Sequence, residues 1–388
     1  MRNGFGHLGP RLLGDKDHVG VERGLAEFRA GRPVVISSGQ EAIVALPIDG
    51  TDDDRLAAFR SLCAPASPRL VVTARRARAL DIDTDVPVLL TLAPTADAES
   101  IYALASDAHA DHALAASSAG AGAQAAIELA KFAQRLPALL VSEPASAPPI
   151  IFDPPLITVM ESALRRFHQE VIRTLTIAGD AQVPLEAGVA ARFVVFRDAI
   201  GGGAVAVIVG KPDFSRPVPV RVHSACLTGD VFGSRRCDCG DQLRLALTRL
   251  KVAGGGIILY LDQEGRGLGL VNKMRAYKLQ DGGLDTVDAN TTLGFDDDER
   301  DYAVAARMLE MIGCTRVLLL TNNPAKLDSL TDAGIEITAR MPLNTPINSD
   351  NRRYLTAKAR RAGHLLDGVL AEAEASEKRP EPGLVPPT

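Results

Sequence analysis

The stretch Arg221-Val222-His223-Ser224-Ala225-Cys226, followed by Cys237-Asp238-Cys239-Gly240, decides the reading of this chain. Thiols in the spacing C-x10-C-x-C suit a zinc ion with three protein ligands and a fourth position left for water. An open position of that kind is how a metal supplies hydroxide near neutral pH. A structural zinc site fills all four positions with protein, and no fourth Cys or His stands at finger-like spacing here. His223 is the one nearby imidazole. The bland alternative is a set of buried apolar cysteines, and the surrounding motifs weigh against it.

Around this stretch the pattern alternates strands and helices. Residues 191–196 and 204–209 read as strands joined by the turn Gly201-Gly202-Gly203. Residues 242–251 place Leu243, Leu247 and Leu250 on one helical face, and 256–261 reads as a buried strand. Helices are expected over 270–280, stopping near Gly282-Gly283, and over 299–312; strands are expected at 317–320 and 335–338. In the first half, short apolar runs at 33–36 and 70–72 alternate with Ala-rich helical stretches, and 125–132 then 138–141 read as helix and strand. Pro-rich 142–155 reads as a linker, and 158–176 as a bridging helix. The expected fold is α/β (α+β) in two domains. Their boundaries are 1–143, a linker and bridging helix over 144–181, a second domain over 182–368, and a disordered Glu-, Ala- and Pro-rich tail over 369–388.

Composition limits the function classes. At 388 residues the chain can bury two cores. A net charge of −5 argues against a general nucleic-acid binder, which needs excess cations to displace counterions. Five cysteines, three of them clustered, suit a reducing compartment better than a disulfide framework. The first twenty residues lack the apolar core of a signal peptide, and the longest apolar runs, such as 86–92, are too short to span a bilayer. A cytoplasmic protein with no membrane or nucleic-acid partner is expected.

Three further patches carry chemistry. Gln263-Glu264-Gly265-Arg266-Gly267-Leu268-Gly269 follows a strand, where glycines allow close backbone approach and Arg266 offers a bidentate phosphate contact. Many folds use such a turn with no phosphate near. Asp296-Asp297-Asp298-Glu299-Arg300-Asp301 reads on its own as a solvated acidic helix start. Thr321-Asn322-Asn323-Pro324-Ala325-Lys326 follows a strand and places a lysine at a helix start, where phosphates bind.

Taken together, these motifs resemble GTP cyclohydrolase II closely. The carrying segments are 221–240, 263–281, 285–295, 298–302, 319–326 and the closing 354–366, so the resemblance covers roughly residues 182–368. It implies a domain with a mixed sheet and helices. It also implies zinc-dependent hydrolysis of GTP to 2,5-diamino-6-ribosylamino-4(3H)-pyrimidinone 5′-phosphate, formate and diphosphate, the first step of riboflavin synthesis. By the resemblance, Cys226, Cys237 and Cys239 hold the zinc, Tyr277 serves ring opening, Asp298 accepts a proton, and Arg300 is the nucleophile toward the α-phosphate. Guanidinium stays protonated far above neutral pH, so that last role needs Asp298 beside it. Arg221, Val222, His223, Ser224, Ala225, Gln242, Glu264, Gly265, Arg266, Thr286, Thr321 and Lys326 match the GTP-contacting positions. Mg²⁺ on the substrate phosphates and a homodimer are implied as well. Ala225 departs from the family's Glu, Arg235 from its Leu, and Asp262 from the commoner basic or small residue. A paralogue that stops at a formamidopyrimidine or takes another nucleotide is therefore the runner-up. A non-catalytic zinc module would need four ligands and a basic face.

The first half bears a fainter resemblance to 3,4-dihydroxy-2-butanone 4-phosphate synthase, in residues 24–35 and 124–143. That family's acidic, metal-binding loop is replaced by Ser37-Ser38-Gly39-Gln40-Glu41-Ala42, and its Arg-x-Gly-His-Thr turn by Gly120-Ala121-Gly122-Ala123. A degenerate, non-catalytic domain is expected.

Overall fold

The computed structural model describes residues 14–110, 115–142, 155–361, 363–366, 368 and 370; the expected disordered tail falls almost wholly outside the described residues. The chain forms two compact units. Unit 1 runs to Arg173 and also takes Gly265–Leu284 and Asp288–Glu299; unit 2 holds Thr174–Glu264, Asp285–Val287 and the chain from Arg300. The division is thus not the linear one expected from the sequence.

In unit 1, β1 (Val34–Ser38) and β2 (Glu41–Pro47) form an antiparallel hairpin across Gly39-Gln40. Four further strands, β3 (Arg69–Val72), β4 (Val88–Leu90), β5 (Ala116–Ser118) and β6 (Ala138–Ser142), join in antiparallel pairs. β7 (Thr158–Met160) lies parallel to β1, giving the order β5-β4-β3-β6-β2-β1-β7. Leu46, Leu70, Val72, Leu90 and Leu140 of the sheet pack on Leu56, Phe59 and Ile101 from the helices Asp53–Cys63 and Ala98–Ser106. Leu268, Ala276, Ala289, Leu293 and Phe295 belong to this same core. Apolar burial, not chain order, assigns the two later segments to the first half.

Polar anchors reinforce that assignment. Arg76, only 1% exposed, donates to the carbonyls of Ala103, Leu104 and Asp107 at the end of one helix and to Thr292 O. Thr73 Oγ1 donates to Gly294 O at 2.7 Å, and Arg275 meets Asp49 and the Tyr102 hydroxyl. Burial lowers the Arg76 guanidinium to about 10, so it remains charged at neutral pH.

Unit 2 combines an antiparallel meander with a parallel half. β8 (Thr176–Leu185), β9 (Val189–Arg197) and β10 (Gly203–Gly210) are successive antiparallel neighbours. β11 (Val218–Ser224), β12 (Gly255–Leu261), β13 (Arg316–Leu320) and β14 (Glu336–Met341) are parallel, and the order is β14-β13-β11-β12-β10-β9-β8. The crossovers carry the helices Cys239–Val252, Ala303–Met311 and Pro324–Asp332. Ile257, Leu259 and Leu261 pack with Ala305, Met308 and Leu309, whereas Ile258 packs with Ala246 and Leu250. Alternate side chains of β12 therefore meet helices on opposite faces of the sheet, the pattern of a doubly covered parallel strand.

Three local expectations shift. Residues 158–160 form β7 rather than the start of the bridging helix, which spans Glu161–Arg173. Residues 176–181 belong to β8, a strand exposed along most of its length, so no hydrophobic alternation marked it. The helix expected over 299–312 is Ala303–Met311. Glu299 N donates instead to Arg266 O at 3.0 Å, so the acidic run is irregular backbone and not a helix start.

Candidate active site

In unit 2 the strand order reverses at β11: β12 pairs on one side and β13 on the other. In an open parallel sheet, the crevice beyond the carboxyl ends of such strands is where ligands bind. Ser224 and Leu261 end β11 and β12 in register, and Ala225 N donates to Leu261 O at 2.8 Å. Cys226 follows at once.

The Cys226, Cys237 and Cys239 sulfurs all lie within 4.8 Å of one another, with Cys226 and Cys237 3.7 Å apart. Tetrahedral ligands at a Zn–S distance of about 2.3 Å are separated by roughly 3.8 Å, so the spacing fits one ion. Small residues permit it. A Cβ on Gly229 would stand 2.9 Å from Cys237 Sγ and 3.1 Å from Cys226 Sγ, and one on Gly240 would stand 2.2 Å from Gly229 O. Cys239 opens the helix Cys239–Val252, whose amide end favours anionic sulfur. Without a cation the cluster resists ionisation: the Cys226 thiol beside it pushes Cys237 up to about 11, and Cys226 and Cys237 together raise Cys239 well above its usual value. The donor set matches a thiophilic divalent ion.

Two buried polar chains brace the cluster. Asp230 accepts from Cys226 N (3.0 Å) and from the Tyr260 hydroxyl (2.9 Å), and its two oxygens lie 3.2 Å from His223 Nε2. A carboxylate only accepts, so Nε2 carries the hydrogen and Nδ1 keeps its lone pair. Burial, aided by the Arg221 charge, lowers the His223 pKa and keeps the ring neutral at pH 7. In the second chain Arg221 Nη2 donates to Gln242 Oε1 (2.5 Å) and Gln242 Nε2 to Asp238 Oδ2 (2.6 Å). Asp238 Oδ1 receives Lys358 Nζ at 2.9 Å. Glu264, 8% exposed, accepts from Leu227 N at 2.6 Å. Lys326 Nζ donates to Val222 O at 2.9 Å, and both Lys326 and Arg300 lie over the Tyr302 ring.

A sequence model of GTP cyclohydrolase II matches residues 176–342. A "GTP cyclohydrolase-2" of Azospirillum brasilense is 40% identical over 362 residues, 89% of this chain and 94% of that protein. The chain belongs to the GTP cyclohydrolase II family. A "Riboflavin biosynthesis protein RibBA" of Bacillus cytotoxicus is 42% identical over 63% of this chain and 64% of its own length. A solved structure, "RibBX, a two domain 3,4-dihydroxy-2-butanone 4-phosphate synthase from A. baumannii", aligns over 84% of this chain and 99% of that one. Its identity of 16% and TM-score of 0.29 are too low to carry anything over.

The residues that the sequence nominates for the site are divided between the two units. Unit 2 contains Arg221, Val222, His223, Ser224, Ala225, the three cysteines, Gln242, Glu264, Thr286, Arg300, Thr321 and Lys326. Unit 1 carries Gly265, Arg266, Tyr277 and Asp298. There Gly265 and Arg266 both adopt left-handed backbone, with φ of 63° and 64°, which a non-glycine residue rarely does. Arg266 Nη1 donates to Asp297 Oδ1 at 2.6 Å, Tyr277 lies beneath the Lys273 ammonium, and Asp298 is exposed.

Asp230, Asp238, Tyr260 and Lys358 escaped the sequence reading as individual site residues. Asp238 had a signal, since it stands between two cysteines of the cluster; Tyr260 had none. A cavity of about 370 Å³ in unit 1, lined by Gln124, Glu128, Phe132, Arg165 and His168, contains none of the expected residues. Among the described residues, no helix is long and apolar enough to cross a membrane.

Proposed function

We propose that the protein hydrolyses GTP to 2,5-diamino-6-ribosylamino-4(3H)-pyrimidinone 5′-phosphate, formate and diphosphate, as the first step of riboflavin synthesis. The observation carrying this reading is the trithiol cluster at the carboxyl end of β11, in a chain of this family. Cys226, Cys237 and Cys239 would hold zinc, which supplies a Lewis acid and an acidified water for attack at the purine C8. Asp230 holds the Cys226 amide and Gly229 leaves room for the sulfurs, so both support the geometry that zinc would need.

The remaining residues act on the nucleotide. Glu264 would accept hydrogens from guanine N1 and the exocyclic amine; adenine lacks that pair of donors, so those two contacts to a buried carboxylate would go unmade. Arg221, Arg266 and Lys326 supply positive charge for the triphosphate, alongside backbone and side-chain contacts from Val222, His223, Ser224, Ala225, Gln242, Gly265, Thr286 and Thr321. Mg²⁺ would ride on the phosphates, held mainly by the substrate. Arg300 would lie at the α-phosphate with Asp298 receiving its proton, and the Tyr277 phenol would orient or protonate the opened ring. We assign the active form as a cytoplasmic homodimer with a non-catalytic first half. In that half the degenerate loop is a tight hairpin with one carboxylate, Glu41.

One observation favours a second product. Ala225 places a methyl group where the family has a carboxylate, so hydrolysis that stops at the formamidopyrimidine is the competing reading. Purified protein incubated with GTP and Mg²⁺ separates the two by mass, with zinc quantified on the same sample. Formate equal to diaminopyrimidine supports the proposal. Accumulated formamidopyrimidine supports the alternative, and intact GTP refutes both.

A further inference from the structure

In the acidic run 296–299, Asp298 is flanked on both sides by carboxylates whose positions the first half of the chain controls. Lys131, on the helix Ala121–Phe132, places Nζ 2.9 Å from Glu299 Oε1 and 3.8 Å from Asp296 Oδ2. Arg75 Nε donates to Asp296 Oδ1 at 2.8 Å. Glu299 Oε1 also accepts from Asp296 N at 2.8 Å, and Glu299 N donates to Arg266 O. Asp297 is taken by Arg266. Beneath the run, Leu293 and Phe295 sit in the core of the first half and Thr73 holds Gly294 O.

Four consecutive acids repel one another, and irregular backbone offers no ladder to hold them. Arg75 and Lys131, neither of them among the residues nominated for the nucleotide, pair with Asp296 and Glu299, and Arg266 pairs with Asp297. Lys131 and Glu299 are each only 18% exposed, so solvent screens this pair less than a surface pair. Burial opposes the Lys131 charge, yet Glu299, Glu128 and Asp296 more than offset it and raise its pKa.

We propose that the first half of the chain, without catalytic groups of its own, is the positioning platform for Asp298, with Lys131 and Arg75 as the positioning residues. The proposal rests on the cyclohydrolase reading for its effect on turnover, but not for its effect on the segment. It gives the degenerate half a specific duty: setting the geometry of a proton acceptor on a segment remote from it in sequence.

The test uses the full chain with Lys131→Met, Lys131→Arg and Arg75→Ala, each beside wild type. Three readouts are taken: formate release from GTP, zinc content, and hydrogen exchange of the amides in 294–300. We expect Lys131→Met to lower kcat about 10- to 100-fold with a much smaller change in KM, as misplacement of a reacting group does. Zinc content should stay at the wild-type value, exchange in 294–300 should quicken, and Lys131→Arg should restore most of the rate. Arg75→Ala should give a weaker version of the same pattern. Unchanged exchange in 294–300 in Lys131→Met overturns the proposal, even if wild type releases no formate. So does unchanged kcat in an active enzyme, or a loss of kcat that follows zinc loss. Intact GTP with wild type would instead bring down the cyclohydrolase reading, leaving exchange to judge the platform.

Discussion

Replacing Arg76 with Met tests whether the first half and the segment 288–299 share one folded core. The substitution removes a guanidinium whose hydrogen bonds reach Ala103, Leu104, Asp107 and Thr292 carbonyls, so two chain segments lose their common donor. Four bonds from a charged donor are worth roughly 6–12 kcal/mol in total. Against this, the fall of the Arg76 pKa from 12.5 to about 10 marks a burial penalty of about 3 kcal/mol that the variant recovers. The net loss is therefore at least about 3 kcal/mol, a shift of about 6 °C or more in the melting temperature for a unit of about 200 residues. Arg76→Lys should not rescue, because a single ammonium cannot fork between carbonyls of separate segments. Calorimetry measures the loss, and hydrogen exchange should quicken in both 98–107 and 288–295. A variant melting within about 2 °C of wild type, or exchange quickening in 98–107 alone, would show that Arg76 does not join the two segments.

Cys237→Ser should bind far less than one zinc per chain and lose formate release while keeping its fold, checked by metal analysis and circular dichroism; full formate release would overturn the ligand assignment. Glu264→Ala should lower the preference for GTP over ATP by at least about 100-fold, read from kcat/KM for both nucleotides. The third concerns pH. Because burial holds His223 below its usual 6.5, the unfolded chain takes up a proton there that the folded chain resists. Stability is then fully present above pH 6.5 and falls as pH drops below it, and His223→Gln should flatten that slope in urea titrations between pH 7 and 5.

Much of the candidate site was legible because the chemistry proposed for it calls for rare residues at fixed spacing. Three thiols around Asp238, a turn rich in glycine at 265–269 and a lysine after β13 each stand out in one dimension. The parallel half of unit 2 was legible for the same reason: β12 is a continuous apolar run bounded by Gly254 and Asp262. The grouping of 265–284 and 288–299 with the first half was not. It depends on where Leu268, Ala276 and Phe295 find apolar partners, which sequence spacing does not encode. The strand β8 was hidden by its exposure. Irregular backbone at 296–302 was hidden because acids before an apolar period are also what a helix start requires. Tyr260 was invisible: it reaches the cluster by its hydrogen bond to Asp230, thirty positions away.

X-ray absorption at the zinc edge, on the chain purified without added metal, reads the trithiol site itself. One zinc per chain is expected, with three sulfur neighbours at about 2.3 Å and a lighter nitrogen or oxygen neighbour completing the shell. Four sulfurs, or a metal-free protein in which the three thiols react separately with alkylating reagent and zinc fails to protect them, would contradict it.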